Sequence, residues 1–406
     1  YFVNTTSGEI DVTLPASPSA GAVVALKDYA NTWDTNNCIL LRNGSNIGGQ
    51  ALNSTLTIEG LAVTLVFVDA TKGWLVTDSG LQSEAPGPSY ICASVSGSCN
   101  TLATSGDFKI ATFKGPGTLT VNSVGNAAGG GDTVDYLVVA GGGGGGGYGS
   151  SGGGAGGFRL SNSTGMPAPL TSPLATPTSV PVSIQGYSIV IGAGGSGGSG
   201  NSGNPSADGT AGTVSTFESI TSAGGGQGRG HQGVGYTGGS GSGGRGSPAY
   251  PGVGYAGGAG NTPPVSPPQG NNGGAGFDGL AVNTQGGGGG GAGAIGTNAS
   301  GGTGGSGGIG SFVISSGFAG SNGTPGPVGS TRYFSGGAGG GVDCNSGTAG
   351  TGGAGGGGAG STGPSGAPGI AGTANTGGAG GGGSSTPQGG GAGGSGIVII
   401  RYKFQN

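Results

Sequence analysis

The sequence predicts an all-β protein with almost no α-helix, in which a small β-sandwich or barrel module precedes a large glycine-rich domain. Three observations support this prediction. Short apolar runs follow the period of β-strands, 114 of the 406 residues are glycine, and only 6% of the residues are charged. A typical globular domain has roughly 7% glycine and about a quarter charged residues. The chain is therefore not one conventional domain.

The predicted first module covers residues 1–79 and consists of short strands. Ile10, Val12 and Leu14 alternate with polar residues, which is the pattern of a half-buried strand. Residues 62–68 (AVTLVFV) form its strongest apolar run. Short strands separated by Gly, Asn and Pro turns favour a sandwich or a barrel.

Residues 80–100 are predicted to be a linker, because they contain Pro86, Pro88 and several serines and glycines. The strand pattern then returns, and residues 101–406 are predicted to form the glycine-rich domain. Two apolar strands, residues 134–140 (VDYLVVA) and 397–402 (IVIIRY), bracket its glycine tracts. We expect residues 397–402 to join a sheet with strands around residues 108–121 or 136–139, which would close the domain.

The glycine tracts are predicted to be ordered rods. Gly/Ser composition usually means a flexible linker, but a solvated tail would not need the apolar strands that bracket these tracts. Collagen requires glycine at every third position, and runs such as residues 141–147 break that period. We predict polyglycine II-like helices with three residues per turn, packed side by side, because such a backbone bonds only laterally. Gly355 is expected inside one of these rods.

Three segments resemble the glycine-rich domain of bacteriophage tail fibres and related virion proteins. They are TVDYLVVAGGGGGGG at residues 133–147, IVIGAGG at 189–195 and GSGIVIIRY at 394–402. The first module, with YFVNTTSG at residues 1–8 and NNCILLRNGSNI at 36–47, is similar to a repeat module of phage structural proteins.

The resemblance implies an extracellular location in a virion and a role in host attachment. It implies polyglycine II helices whose connecting loops recognise a host receptor, either a polysaccharide or an outer-membrane protein. It also implies contacts with other virion proteins and assembly as a homo-oligomer, which we expect to be a trimer.

Aromatic and basic residues between the glycine tracts are the candidate receptor-binding residues. Tyr and Arg are favoured at binding hot spots, and aromatic faces stack on sugars. An equally weighted alternative is that these rings fill gaps against the rods as small apolar clusters. The candidates are Arg229, His231, Tyr236, Tyr250, Tyr255, Arg332, Tyr333 and Phe334.

Composition argues against several other function classes. The eleven basic residues are scattered, so neither a nucleic acid nor an anionic membrane surface is an expected partner. The sequence also lacks the long apolar run of a membrane-spanning helix.

The motifs predict no enzyme, metal or cofactor. Gly194, Ser196 and Gly198 fit a nucleophile elbow, but His231 is the single histidine and no helix follows. Residues 273–281 hold one copy of a calcium nonapeptide, whereas calcium rolls need tandem copies. A glycosidase-type carboxylate pair among Asp28, Asp34 and Asp69 stays open as a weaker alternative.

The cysteines leave two alternatives open. Cys92 and Cys99 are near enough in sequence for a disulfide, but free buried thiols are equally plausible. The chain begins at Tyr1 within a strand-like segment, and we expect it to be processed or a fragment.

The leading functional hypothesis is a phage fibre or tail-tip protein that contacts the host surface through loops on a glycine scaffold. The first competitor is an architectural virion protein, such as a capsid decoration or a fibre shaft. The second is a bacterial surface or secreted glycine-rich adhesin.

Overall fold

The structure is a computed structural model in which strands make up 31% of the residues and helices 2%, which confirms the predicted all-β fold class. The helical residues described are a 3-10 turn, Ala127–Gly129, and a single irregular π turn, Ser315–Ala319. Neither is long enough to cross a membrane. The structure describes residues 1–81, 88–161, 172–200, 207–246, 254–278, 284–343, 347–363, 366–385 and 387–405.

The chain divides into two compact units, Tyr1–Ser89 and Tyr90–Asn406. In the first unit a four-stranded sheet of order β1-β3-β6-β7 and a three-stranded sheet of order β2-β4-β5 share one apolar core, as in a β-sandwich. Trp33 and Trp74 lie fully buried in that core. The strands are β1 (Phe2–Val3), β2 (Ile10–Thr13), β3 (Val23–Asp28), β4 (Cys38–Leu41), β5 (Ser54–Leu56), β6 (Leu61–Asp69) and β7 (Gly73–Leu81).

Two of the three acids weighed as a catalytic pair bind the local backbone instead. Asp28 is buried and accepts hydrogen bonds from the N–H groups of Thr32, Trp33 and Gly60 at 3.3, 3.1 and 3.0 Å. Asp69 closes the turn between β6 and β7 by accepting hydrogen bonds from the N–H groups of Thr71 and Lys72, at 2.8 and 2.6 Å. These carboxylates therefore stabilise loops of the sandwich.

The linker predicted at residues 80–100 needs a correction. Strand β7 continues to Leu81, and residues from Tyr90 onward belong to the second unit, where Cys92–Val95 is already a strand. Ala93 of that strand is buried in the core of the second unit. The strand consists of small residues, so its apolar signal is weak, and its pairing with a distant strand decides its conformation.

The second unit contains two larger sheets and two hairpins. One sheet has the order β14-β13-β12-β23-β10-β9, with β15 paired to β12, and the other has the order β18-β17-β16-β11-β8. The hairpins are β19-β20 and β21-β22. The strands are β8 (Cys92–Val95), β9 (Thr101–Ser105), β10 (Phe108–Phe113), β11 (Gly117–Ser123), β12 (Thr133–Val139), β13 (Phe158–Ser161), β14 (Ala175–Thr176), β15 (Val180–Pro181), β16 (Gly186–Val190), β17 (Ser215–Phe217), β18 (Ile220–Ser222), β19 (Phe277–Asp278), β20 (Thr284–Gln285), β21 (Ser311–Ile314), β22 (Thr331–Phe334) and β23 (Ile397–Lys403).

Strand β23 closes the second unit, as predicted from the apolar bracket. It pairs antiparallel with β10 on one edge and with β12 on the other. Its side chains alternate between two cores, because Val398 and Ile400 pack against the five-stranded sheet while Ile397 and Ile399 pack against the β21-β22 hairpin. The C-terminal strand therefore joins both cores.

A buried ion pair lies on the closing strand. Asp135 of β12 stands opposite Arg401 of β23, and their side chains are joined at 2.7 Å. The Asp135 carboxylate also accepts hydrogen bonds from the hydroxyls of Ser161 and Ser179 at 3.2 and 2.8 Å. A shift of β23 by one residue would separate the two charges inside the protein, so the pair favours a single register.

The glycine tracts are rods with a three-residue period. In the central rod (residues 141–147) the N–H groups of Gly141, Gly144 and Gly147 bond to residues 213, 210 and 207. Those of residues 142 and 145 bond to residues 394 and 391, and those of 143 and 146 to residues 154 and 151. Every third N–H group therefore points at the same neighbour, as three residues per turn require.

The carbonyl groups of the central rod bond to three further segments. They accept from residues 225 and 228, from residues 195 and 198, and from residues 380 and 383. The central rod is thus surrounded by six neighbours, antiparallel where it donates and parallel where it accepts. Two other buried rods, residues 286–292 and 335–342, also have six hydrogen-bonded neighbours, with a different arrangement of parallel and antiparallel partners. These lateral bonds confirm the predicted packing of polyglycine II-like helices.

Many rods are direct continuations of β-strands. Rods leave the sheets after β12, β16, β18 and β22, as residues 141–147, 192–200, 223–230 and 335–342. Other rods run into β13, β17, β21 and β23, as residues 150–157, 207–213, 303–310 and 388–396. One end of the rod array therefore meets the sheets, and we call it the sheet end. The opposite end is called the distal end.

Glycine is required in the rods because the backbones nearly touch. At each residue of the central rod an added Cβ atom would overlap a neighbouring rod, for example the carbonyl oxygen of Gly381 at position 145. A few buried alanines, such as Ala155, Ala338 and Ala379, mark places where the array has room for a methyl group.

The expectation that Gly355 lies inside a rod is wrong. Residues 354–356 form a turn, and Gly355 has a φ of 104°, which only glycine adopts without strain. The run of glycines around it contains both a rod end and a turn, and composition does not distinguish the two.

A rod glycine and an open glycine should respond oppositely to alanine. We expect Gly145→Ala to destabilise the second unit by about 1–3 kcal/mol through overpacking, because its Cβ would overlap the neighbouring rod. Gly329 is the matched control, since it is exposed with no atom within 4 Å of an added Cβ. Gly329→Ala should be neutral or slightly stabilising. Thermal melts of both variants test this, and equal melting temperatures would contradict close packing.

The three described cysteines are free and differ in exposure. Cys92 and Cys99 are exposed thiols rather than the buried thiols or disulfide considered from the sequence, and Cys344 lies outside the described residues. Cys38 is buried between the sheets of the first unit. Burial, with smaller effects of Asp28 and Asp11, raises the pKa of the Cys38 thiol to about 11.

Alkylation should therefore distinguish the thiols. At pH 8 we expect iodoacetamide to modify Cys92 and Cys99 and to leave Cys38 unmodified. The raised pKa keeps the Cys38 thiol protonated, and its burial in the sandwich core keeps the reagent away from it. Peptide mass spectrometry gives the extent at each position. The same reaction in guanidinium is the control and should modify Cys38 as well. Rapid modification of Cys38 in the folded chain would contradict its placement in the core.

Candidate functional site

Three of the candidate receptor-binding residues meet at the distal end around one carboxylate. The Arg229 guanidinium lies 3.2 Å from Asp208, and the Tyr236 hydroxyl donates to the same carboxylate at 2.8 Å. The N–H groups of Gly230 and His231 donate to its second oxygen at 2.7 and 3.3 Å. The carboxylate thus fixes the connection that follows the rod 223–230.

The same cluster fixes the basic and aromatic side chains to each other. The Arg229 guanidinium lies 4.0 Å from the centre of the Tyr236 ring, and its Nε donates to the carbonyl of Val234 at 2.9 Å. Burial and the negative charge of Asp208 raise the pKa of the Tyr236 hydroxyl, so it stays a hydrogen-bond donor. The side chains of His231 and Val234 in this connection are exposed and available to a partner.

A buried arginine lies beneath this cluster. Arg245 is 4% exposed, and its guanidinium donates to the carbonyls of Gly230 and Gly149 at 3.0 and 3.4 Å. Its guanidinium carbon lies 5.4 Å from the centre of the Tyr148 ring. Arg245 therefore joins the distal ends of three rods, and it stabilises the base on which the Asp208 cluster stands.

Acidic residues surround this arginine. Burial lowers the pKa of the Arg245 guanidinium, and the nearby charges of Asp343, Asp208 and Asp278 act in the opposite direction. Burial raises the pKa of the Asp343 carboxyl, and Arg245 counteracts that rise. Opposite charges therefore lie close together at the distal end, and their attraction offsets part of the free-energy cost of removing them from water. No group of three potential metal ligands occurs among the residues that the structure describes.

Two candidates belong to the connections beside this cluster. Tyr255 is half-buried, and its backbone pairs with Arg245 and Gly276, so it lies on a neighbouring rod near the distal end. Tyr250 lies outside the described residues.

Three candidates are not at the distal end, and two of them are not exposed. Arg332, Tyr333 and Phe334 form β22 at the sheet end. Phe334 is fully buried in a core with β12 and β23, and Tyr333 is buried against Phe312, with ring centres 5.3 Å apart. The expectation that these rings lie on exposed loops is wrong, since hairpin pairing turns a short aromatic run into a core strand.

The guanidinium of Arg332 also has a structural role. It donates to the carbonyls of Ser321, Asn322 and Gly323 at 2.7, 3.0 and 2.6 Å, and thereby holds the loop between β21 and β22. These contacts use three of the five N–H donors of the guanidinium.

Sequence reasoning missed Asp208 and did not assign Arg245 to the site. A signal was present, because the region after residue 140 contains only four acidic residues, Asp208, Glu218, Asp278 and Asp343. A charged side chain in an array of closely packed backbones is costly to bury, so each of these acids is expected to pair with a basic residue or a hydrogen-bond donor. Their pairing with particular arginines depends on the register of the rods, which the sequence does not give.

Comparison with known protein families concerns the second unit. Residues 114–403 match a family described as the glycine-rich domain. The chain belongs to this family. The matched residues include the whole rod array and the closing strand β23, and they exclude the first unit. A comparison with curated proteins finds no match to this chain.

Core and distal-end residues of the glycine-rich domain should differ in their effect on stability. We expect Phe334→Ala to destabilise the second unit by about 3–5 kcal/mol, because it removes a fully buried ring. His231→Ala, at an exposed position, should change stability by no more than about 0.5 kcal/mol. Chemical denaturation of both variants measures this. A small effect of Phe334→Ala would return that ring to the set of surface contacts.

Proposed function

We propose that this protein is a fibre or tail-tip protein of a bacteriophage virion, and that it recognises the host surface through the distal end of its rod array. Its partners in this proposal are a polysaccharide or outer-membrane protein of the host, other virion proteins and two further copies of the chain. The resemblance of the strand and glycine segments to virion proteins motivates the virion location.

The polarity of the second unit supports recognition at the distal end. Its first strands and its last strand, β23, all lie in the sheets, so the chain enters and leaves the unit at the sheet end. The rods carry the chain away from this end and return at the distal end, as residues 147 to 150 and 230 to 235 do. A unit attached through its sheets would therefore present the rod connections outward.

Rods and connections differ in how freely their residues can be substituted, and this difference also supports the proposal. A rod cannot change without clashes between backbones, as the overlaps of an added Cβ show. A distal connection is free of that constraint, because residues such as His231 and Val234 are exposed. Rods that tolerate no substitution, with connections that do, suit a protein that must adapt to a changing host surface.

Two matched variants test the location of the binding surface. Val234 at the distal end is 51% exposed and Ile184 at the sheet end is 65% exposed, so aspartate at either position leaves the cores intact. We expect Val234→Asp to reduce binding of the labelled full-length chain to a panel of bacterial strains about tenfold, whereas Ile184→Asp leaves it unchanged. Flow cytometry measures the bound chain.

Each other result has a defined meaning. Equal loss in both variants, or loss only in Ile184→Asp, would contradict recognition through the distal end. The architectural alternative would be favoured if the chain binds no strain of the panel and an antibody against it labels virions in immunogold electron microscopy. Labelling of bacterial cell surfaces without virions would favour a bacterial adhesin.

A further inference from the structure

The sheet end carries a cleft that the proposed function does not use. It has a volume of about 340 Å³ and lies between β12, β13, the β14-β15 segment and the β17-β18 turn. That volume is within the range of small-ligand sites. Its polar lining includes Tyr136, Arg159, Thr176, Thr178, Glu218 and Ser219.

A positive charge lies on the lining of the cleft. Arg159 of β13 stands opposite Val138 of β12, and its guanidinium is the neighbour of the Tyr136 hydroxyl. Tyr136 is 2% exposed, so the aromatic ring that lies beside the arginine is held by the core. No described acidic side chain lies within ion-pair distance of Arg159. Its charge is therefore available to the cleft.

A negative charge lies on the same lining. Glu218 occupies the β17-β18 turn with a φ of 51°, a left-handed conformation that a residue with a Cβ rarely adopts. Hydrogen bonds from the side chain and backbone of Ser219 lower the pKa of the Glu218 carboxyl, so it is ionised at neutral pH. Glycine or asparagine would suit this turn better, and a carboxylate held there at a conformational cost points to a role for its charge.

The two opposite charges face one cleft without pairing. Thr176 and Thr178 lie on the same lining and supply hydroxyl groups. A cation, a carboxylate and several hydroxyls together offer both donors and acceptors. Neutral sugars match this set, because each ring hydroxyl donates one hydrogen bond and accepts others. A ligand with a single net charge would be attracted by one of these two residues and repelled by the other, whereas a neutral ligand can hydrogen-bond to both.

We propose that this cleft binds a short neutral oligosaccharide, with Arg159 donating to its hydroxyl oxygens and Glu218 accepting from its hydroxyl groups. Charge-assisted hydrogen bonds of this kind are stronger than neutral ones. The site lies at the sheet end, so it is independent of recognition through the distal end.

The test uses the full-length chain and an array of neutral and acidic oligosaccharides. We expect binding to neutral members, and calorimetry with the best neutral oligosaccharide should show about tenfold weaker binding for Glu218→Gly and for Arg159→Gln. Glu218→Gly also relieves the left-handed backbone, so loss of binding should accompany unchanged or improved thermal stability.

Two controls separate this site from other effects. Ser330→Gly relieves an exposed residue with a φ of 63° far along the chain from the cleft, and it should leave sugar binding unchanged. Val234→Asp at the distal end should also leave it unchanged. The inference is overturned if no neutral oligosaccharide binds, if Glu218→Gly binds as tightly as the parent, or if acidic oligosaccharides bind and Glu218→Gly strengthens them.

Discussion

The lateral hydrogen bond between glycine backbones is the interaction on which the second unit depends. A helix with three residues per turn has no hydrogen bonds of its own, so every buried N–H and C=O group must find a partner on another rod. The central rod satisfies this condition with six neighbours. Since an added Cβ would overlap those neighbours, the same interaction explains the high glycine content and the near absence of charge along the rods.

The sheets provide what the rods lack, which is an apolar core. Glycine loses much conformational entropy on folding and buries no side chain in return, so a glycine array needs support from elsewhere. Strands β12 and β23 provide it, because their side chains are shared between two apolar cores. Rods that continue directly from these strands start in a defined register. The ion pair of Asp135 and Arg401 on the same two strands adds a penalty for any other register.

Clusters of charged side chains lie at the two ends of the array. At the distal end Arg229 and Arg245 meet Asp208 and Asp343 where the rods reverse direction. At the sheet end Arg159 and Glu218 face a cleft. Both places have room for side chains, because there the spacing is no longer set by rod packing. An array of this kind therefore separates a chemically inert middle from two ends that can carry recognition.

The sequence by itself determined the all-β class, the presence of rods and the closure of the domain. Residues 397–402 were predicted to pair with the strands around residues 108–121 or 136–139, and the structure pairs β23 with both β10 and β12. Those features depend on local alternation and on the backbone bonding of glycine, which can be read from composition and period. Tertiary structure alone decided which glycines are in rods and which are in turns, as Gly355 shows. It alone placed Phe334 in a core and Arg229 beside Asp208. The reason is physical, since glycine tracts look alike in sequence, and only the lateral register of the rods assigns each residue its neighbours.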